Sequence, residues 1–471
     1  MRKVLNTLLL FALSSCTMYP KYVRESEFAI PTEWRIHSSE MNELGNVNWW
    51  KQLKDPVLDQ YIQEALLNNQ DLKVAIATVD AFAAKLGVAR SELYPQLSGT
   101  AGVEREKVSK NLTPLIPGTP DVSNAYDLIF NASYQLDVWG QIRSAVDAAQ
   151  AELFSSIQTR RTVVLTLVSA TASTYIQMRQ FDKQLKIAQE TKRTRDISYK
   201  LAHLRYELGL TSLMPVEQAK SEIEDAQTTI DQIAIQIALM EDLLSFLIGR
   251  PSETVPRGKL LDEIQMPPCV PAYLPSELIN QRPDILAAEQ KLIAANAQIG
   301  VARANFFPNI SLTGQYGVES AALSNLFTKP STLWEYGVSL LQQVFTGGNL
   351  INQLRLTEAA QKEALHAYQS AILNGFKEVN DSLISHRITV NLVNDQRIKI
   401  ATLKNYLRLS WLRYQNGQTD YLNFLDAERQ LFRAELEYAA IQGNNFTTLI
   451  DLYKALGGGW VVAADCEAQP N

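Results

Sequence analysis

The stretch Gly87-Val88-Ala89-Arg90 occurs twice in this chain of 471 residues, and its second copy is Gly300-Val301-Ala302-Arg303. In both places a Pro follows, and then a run in which apolar and polar residues alternate. A second motif, Arg-Tyr-x-x-Gly, occurs at residues 205–209 and again at 413–417. Two motifs that recur about 210 residues apart indicate an internal duplication. Each copy predicts the same order: helix, two strands, a very long helix, helix.

Alternating apolar and polar residues predict four strands, at about residues 96–107, 125–137, 309–320 and 332–344. Segments of about ten alternating residues with aromatic ends are typical of outer-membrane barrel strands. A soluble antiparallel sheet with one wet face is the alternative. The long polar links within each strand pair favour the outer-membrane interpretation.

Two stretches without Pro, from Gly140 to Leu208 and from Gly348 to Asn416, predict very long helices. About 65 residues at 1.5 Å each reach roughly 100 Å, which no single globular core requires. From Ala219 to Leu247, apolar residues alternate in steps of four and three, and this spacing predicts a coiled coil. The equivalent residues of the second copy are more polar. Shorter helical stretches are predicted at residues 56–90 and 276–303, each ended by a following Pro.

The N-terminus has the pattern of a lipoprotein signal. A basic pair, Arg2-Lys3, precedes a short apolar run, and Leu13-Ser14-Ser15-Cys16 resembles the bacterial lipobox. The alternative is an ordinary signal peptide with a chance Cys. In the lipobox interpretation, Cys16 becomes the acylated first residue of the mature chain, and Thr17 after it favours sorting to the outer membrane.

These features divide the chain into six segments. They are a signal peptide (1–15), a lipid-anchored N-terminal segment (16–55), a first repeat (56–255), a Pro-rich linker (256–275), a second repeat (276–460) and a loose C-terminal tail (461–471).

Cys269 and Cys466 are the other two cysteines, and exported compartments are oxidising. Both follow the last helix of their copy, so pseudo-symmetry predicts similar heights and a possible disulfide. The net charge of −6 argues against a nucleic-acid partner.

The sequence offers no catalytic constellation. The four histidines (His37, His203, His366 and His386) lack metal-ligand spacing, and neither a Cys-x-x-Cys pair nor a nucleophile elbow is present. We therefore predict no enzyme activity, no metal and no cofactor, apart from covalent lipid on Cys16.

Four motifs resemble those of outer-membrane efflux proteins of the TolC and OprM type, in order and over about residues 10–460. They are Trp49-Trp50-Lys51-x-Leu53-x-Asp55-Pro56, Gln281-Arg282-Pro283-Asp284-Ile285, Tyr421-Leu422-x-x-Leu425-Asp426-Ala427-x-Arg429 and Leu456-Gly457-Gly458-Gly459-Trp460.

The resemblance implies a mainly α-helical homotrimer with a transmembrane β part. Four strands from each chain would contribute to a β-barrel in the outer membrane, above a long helical coiled-coil tunnel in the periplasm. Sheet physics agrees, because four strands cannot close a barrel and open edges are not tolerated in lipid. Three chains supply twelve strands, enough for a water-filled passage. A periplasmic adaptor and an inner-membrane transporter of the RND type are the implied partners.

The resemblance also implies a gate at the periplasmic tip, with Asp426 facing the axis and Leu422 and Arg429 beside it. The alternatives are that Asp426 favours the start of its helix, or forms a solvated pair with Arg429. The two hairpin turns would contact the adaptor through Arg205, Tyr206, Gly209, Arg413, Tyr414 and Gly417. These residues are also suited to cap helices, and both roles are compatible.

The predicted function is therefore the outer-membrane exit duct of a tripartite efflux pump, which passively conducts drugs or other small toxic solutes. One alternative is the outer-membrane channel of type I protein secretion. Another is a lipid-anchored coiled-coil structural protein of the envelope, which would leave the aromatic-ended strands unexplained.

Overall fold

The computed structural model describes residues 18–24, 49–107, 109, 122–266, 275–457, 461–462 and 465. They belong to two compact units. The first unit comprises Met1–Ser26, Thr78–Ser156 and Ala287–Tyr368, and the second comprises Glu27–Ala77, Ile157–Leu286 and Gln369–Asn471. The first unit contains the whole described β-sheet, and the second contains two long helical hairpins.

The first half of the chain has a 3-10 helix (Trp49–Leu53), α1 (Pro56–Asn68), α2 (Gln70–Ser91), β1 (Gln96–Lys107), β2 (Val122–Leu136), α3 (Gln141–Glu207) and α4 (Leu213–Leu247). The second half has α5 (Pro275–Gln281), α6 (Pro283–Ala304), β3 (Asn309–Ser320), β4 (Thr332–Leu341), α7 (Asn349–Gln415) and α8 (Tyr421–Ala455), with short 3-10 turns at Leu323–Asn325 and Lys329–Ser331. Both α3 and α7 contain 67 residues, and both α4 and α8 contain 35. None of the described helices is both long and apolar enough to cross a lipid bilayer.

The four strands form one antiparallel sheet in the order β1-β2-β3-β4. The register places Phe130 opposite Tyr316, and Tyr316 opposite Trp334, so that one face carries a row of exposed aromatic rings. The other face is polar, and on it Gln315 donates to the Glu335 carboxylate at 2.6 Å. The alternation in sequence is thus a division between an apolar and a polar face.

Two strand bounds differ from the sequence prediction by three residues. β2 begins at Val122 rather than 125, because its first residues pair with the far end of β1, where Val122 lies opposite Lys107. β4 ends at Leu341 rather than 344, because Leu341 lies opposite Asn309, the first residue of β3.

The stretches predicted as helical at 56–90 and 276–303 are helical, and each is broken once. α1 and α2 separate at the buried Asn69, whose amide donates to the Leu247 carbonyl and whose side-chain oxygen accepts from the Leu72 N–H, both at 3.0 Å. In the second half, α6 begins at Pro283, whose ring can start a helix but cannot continue one.

Some described residues of the predicted linker and tail contact the helices. Asp55 is fully buried; it accepts a hydrogen bond from the Tyr175 hydroxyl at 2.7 Å and another from the Lys259 N–H at 3.0 Å. In the tail, Asp465 is buried and forms an ion pair with Arg160 at 2.7 Å. The prediction of a loose tail is therefore wrong at Asp465.

Candidate gate at the hairpin turns

Both hairpins turn on a glycine in the left-handed region. Gly209 has φ of +67° and Gly417 has φ of +69°. After α3, the Leu210 N–H donates to the Arg205 carbonyl at 2.8 Å and the Gly209 N–H to the Tyr206 carbonyl. The turn after α7 repeats this pattern between residues 413–418. Each turn is a Schellman motif, which satisfies carbonyls that the helix end leaves free and requires a residue with low cost at positive φ.

The two hairpins pack together just before their turns. A buried cluster joins α3, α4 and α8 there, and the side chains of α7 pack against it; its members are Ala202, Val216, Ala219, Tyr421, Phe424 and Leu425. The Arg205 guanidinium lies over the ring of Tyr414, 5.1 Å from its centroid. Arg205 and Tyr414, both predicted to contact an adaptor, thus contact each other, one from each hairpin.

The two turns differ in chemistry. The first exposes apolar side chains, including Leu208 (64 % exposed), Leu210 (70 %) and Met214 (66 %). The second turn consists of the polar run from Asn416 to Asp420. A partner would therefore meet an apolar surface at one turn and a hydrogen-bonding surface at the other.

Asp426 and Leu422 lie exposed at the start of α8. Leu422 is 56 % exposed, and the Asp426 carboxylate accepts a hydrogen bond from Gln430 Nε2 at 2.7 Å, one turn further along the helix. Asp420 is the N-cap residue of α8, but its side chain makes no capping hydrogen bond.

Arg429 does not pair with Asp426. Its Nε donates to Glu222 Oε1 at 2.5 Å, and a second nitrogen contacts the same oxygen. Glu222 belongs to α4 of the first half and is 2 % exposed. The hydrogen bond to Glu222 is the main cause that raises the pKa of Arg429. The ion pair thus joins α4 of the first hairpin to α8 of the second.

Arg195 on α3 extends this link. It is 2 % exposed, its NH2 nitrogen lies 2.9 Å from Glu222 Oε2, and its NH1 nitrogen donates to the Glu222 carbonyl at 2.6 Å. The guanidinium also lies over the Phe432 ring of α8, at 5.1 Å. Three helices therefore meet at one buried carboxylate that two guanidinium groups share.

Glu428 is a second buried carboxylate in this region. Its Oε1 lies 3.9 Å from Arg195 Nε, beyond hydrogen-bond distance. Burial is the main cause that raises its pKa, while the charge of Arg195 opposes the shift and that of Glu222 adds to it. Sequence analysis missed Arg195, Glu222 and Glu428, because charged residues next to an apolar seam are normally solvated.

In the part of the chain that the structure describes, no group of three or more His, Cys, Asp or Glu residues is arranged to hold a metal ion. Cys16, Cys269 and Cys466 lie outside the described residues.

The chain combines strands that carry exposed aromatic side chains with long helical hairpins. Comparison with known protein families shows which class has this combination. Residues 61–250 and 274–458 match the outer membrane efflux protein family. The chain belongs to this family, and it is an outer-membrane efflux channel.

Relatives and solved structures agree with this assignment. The chain is 32 % identical to the probable efflux pump outer membrane protein TtgC of Pseudomonas putida, over 96 % of this chain and 94 % of that protein. It is 30 % identical to the probable outer membrane lipoprotein SilC of Salmonella typhimurium, over 98 % and 99 % of the two chains. The open-state crystal structure of the MtrE outer membrane channel from Neisseria gonorrhoeae superposes with a TM-score of 0.84, at 31 % identity over 94 % of this chain and 99 % of that one.

Proposed function

We propose that three copies of this chain form the exit duct of a tripartite efflux pump, with a twelve-stranded barrel in the outer membrane. This proposal rests on the edges and the aromatic face of the β-sheet. Within the described residues, β1 and β4 are its two edges, and one face is a row of exposed aromatic side chains. In lipid, both the unpaired edges and the polar face need cover. Pairing β4 of one copy with β1 of the next covers the edges and turns the polar faces towards a shared aqueous passage.

The gate in this proposal lies at the start of α8. Threefold symmetry would place three Asp426 carboxylates around the axis, with Leu422 beside them. Arg429 would act differently, by holding α8 against Glu222 of α4 and so fixing how far the second hairpin leans inwards. Two observations support this: the side chain of Asp426 is exposed, and Arg429 donates a hydrogen bond to the buried Glu222.

The hairpin turns are the surfaces that we assign to a periplasmic adaptor, which would connect the duct to an inner-membrane RND-type transporter. Arg205, Tyr206 and Gly209 form the first turn, and the second consists of Arg413, Tyr414 and Gly417. The glycine turns support this assignment because they close each hairpin compactly and leave its end accessible. The exported solutes would be drugs or other small toxic molecules, in keeping with relatives named as efflux pump proteins.

Covalent lipid on Cys16 would add a second anchor in the outer membrane. The residues just after it run along helices of the first unit: the Tyr19 hydroxyl donates to Asp147 at 2.7 Å, and Arg24 forms a two-bond ion pair with the buried Glu289. A relative named as an outer membrane lipoprotein supports the same assignment.

We further propose that Cys269 and Cys466 form a disulfide in the exported protein. Titration of free thiols in purified, denatured and unreduced protein tests this pairing. We expect no reactive thiol from either residue, and two reactive thiols would exclude the bond.

Conductance in planar lipid bilayers, together with native mass spectrometry, tests the proposed duct. We expect a trimer and stepwise ion-conducting insertions. A matched control carries Tyr316→Arg and Tyr336→Arg, which place charge on the face assigned to lipid, where each costs about 2–4 kcal/mol at mid-membrane. The control should fail to insert. A wild-type protein that remains monomeric, or that inserts without conducting, would favour a structural protein of the envelope.

A further inference from the structure

A cavity of about 320 Å³ lies between α3 and the second hairpin, on the side of the tip cluster away from the turns. Its lining combines apolar side chains, including Ile187, Leu407, Leu431 and Phe424, with hydroxyl and charged side chains. Pockets of roughly 300 Å³ and more with apolar walls and a few polar groups are the usual form of small-molecule sites.

The cavity contains a carboxylate that accepts no hydrogen bond from the described part of the chain. Glu428 is one of its lining residues and is mostly buried. The nearest cation, Arg195, is already committed to Glu222 through two of its nitrogens. The third, Nε, makes no hydrogen bond in the described part of the chain, although it lies 3.9 Å from Glu428. A buried carboxylate without strong donors favours either protonation or a cationic ligand.

The other charged groups at the cavity also favour a cation. Glu190, Arg193 and Glu435 line it together with Glu428. Glu435 is paired with Lys404 of α7 at 3.1 Å. The other charged lining residues are two carboxylates, Glu190 and Glu428, and one guanidinium, Arg193. The lining residues therefore carry more negative than positive charge, and this favours a cationic ligand. An aromatic ring, Phe424, and small hydroxyl side chains complete the lining.

We infer that this cavity is a binding site for a small amphipathic organic monocation, whose ammonium group pairs with Glu428 and whose apolar part packs against Leu431 and Phe424. The size of the cavity fits one ring and a short alkylamine chain. Because the lining residues belong to both hairpins, a bound ligand would change how the two hairpins are positioned relative to each other.

Equilibrium dialysis with radiolabelled phenethylamine tests the site in purified, detergent-solubilised full-length protein, with protein-free micelles as the background. We expect saturable binding to the wild type and at least about tenfold weaker binding to Glu428→Gln, which removes the charge but keeps the shape. Glu435→Gln is the matched control: it also lines the cavity but is paired with Lys404, and it should bind within about twofold of wild type. The neutral analogue 2-phenylethanol should compete poorly.

A second variant, Thr191→Phe, fills the cavity from a partly exposed position on α3 and should also abolish binding. Native mass spectrometry and melting curves confirm that each variant remains folded. Equal binding by wild type and Glu428→Gln, or no binding above the micelle background in wild type, would overturn the inference. The result is independent of the proposed duct, because conductance without amine binding rejects the site alone, and amine binding without conductance rejects the duct alone.

Discussion

The guanidinium of Arg205 and the ring of Tyr414 meet at 5.1 Å and join the end of α3 to the end of α7. A double-mutant cycle with Arg205→Gln and Tyr414→Leu measures the energy of this contact. Chemical denaturation of the two single variants and the double variant should give a coupling energy of about 0.5–1 kcal/mol, as expected of a partly exposed cation–π pair. The equivalent residues of the other half, Tyr206 and Arg413, provide the matched control, and their coupling should be near zero. Equal coupling in both cycles would contradict the assignment.

Asp426→Ala should lower the preference for cations and raise leak conductance. Three carboxylates close to one axis would create a strong negative potential where water is confined. Reversal potentials in a salt gradient measure the change. Asp420→Ala is the control, since Asp420 lies at the turn without a capping hydrogen bond, and it should leave selectivity unchanged. If Asp426→Ala has wild-type selectivity, Asp426 is a helix-surface charge and does not line the passage.

Glu222→Gln should loosen the contact between the two hairpins. The substitution leaves Arg195 and Arg429 with uncompensated charge around a buried position, and such loss of one partner typically costs about 3–5 kcal/mol. We expect a lower melting temperature and a larger leak conductance. Glu224→Gln, on the exposed face of the same helix, should change neither. Wild-type melting in Glu222→Gln would show that the buried carboxylate does not hold the hairpins together.

The substitution Glu428→Gln should stabilise the folded protein relative to wild type, and this stabilisation should increase as pH rises. Burial raises the pKa of Glu428 above its usual 4.5, so the folded state prefers the neutral acid and incurs an increasing cost once the unfolded chain ionises. The melting difference between Glu428→Gln and wild type should therefore grow from about pH 4.5 upwards. Glu437→Gln should show a small trend of opposite sign, because hydrogen bonds from Lys399 and Gln396 lower the pKa of Glu437. Parallel pH profiles for the two variants would be inconsistent with this explanation.

Cys16→Ser should abolish lipid attachment, since the thiol is the acylated group in the lipobox interpretation. Metabolic labelling with palmitate compares the variant with wild type, and Cys269→Ser serves as the control that should keep the label. Equal label in Cys16→Ser and wild type would refute lipidation at this residue. Conductance should persist, because the strands do not depend on the lipid.

Features set by local pattern were predictable from the sequence. Strict alternation gave the two faces of the sheet, and the absence of Pro gave the long helices α3 and α7. The glycine turns were also visible, because Gly209 and Gly417 stand where an apolar helical pattern stops. The outer-membrane location and efflux function followed from motifs that occur together along most of the chain.

Features that depend on several distant segments were not predictable. The break at Asn69 requires the Leu247 carbonyl, which lies 178 residues further along the chain. Glu222 resembled a solvated residue beside the seam position Ile223, and its burial arises only where α3, α4 and α8 meet. For this reason the sequence suggested only Asp426, three residues away, as an alternative partner of Arg429, and not a residue in the other half of the chain.

The link between Glu222 and Arg429 uses one residue from each half, and this arrangement has a consequence for symmetry. The residues equivalent to Glu222 and Arg429 in the opposite halves are Gln430 and Ser221, and the equivalent of Arg195 is Leu403. A ring of six identical half-length subunits would repeat one half at every position and could not form this buried charge pair. A fused chain lets its two hairpins differ. In the proposed trimer each subunit would contain a complete pair, and alternate hairpins would be free to assume separate roles.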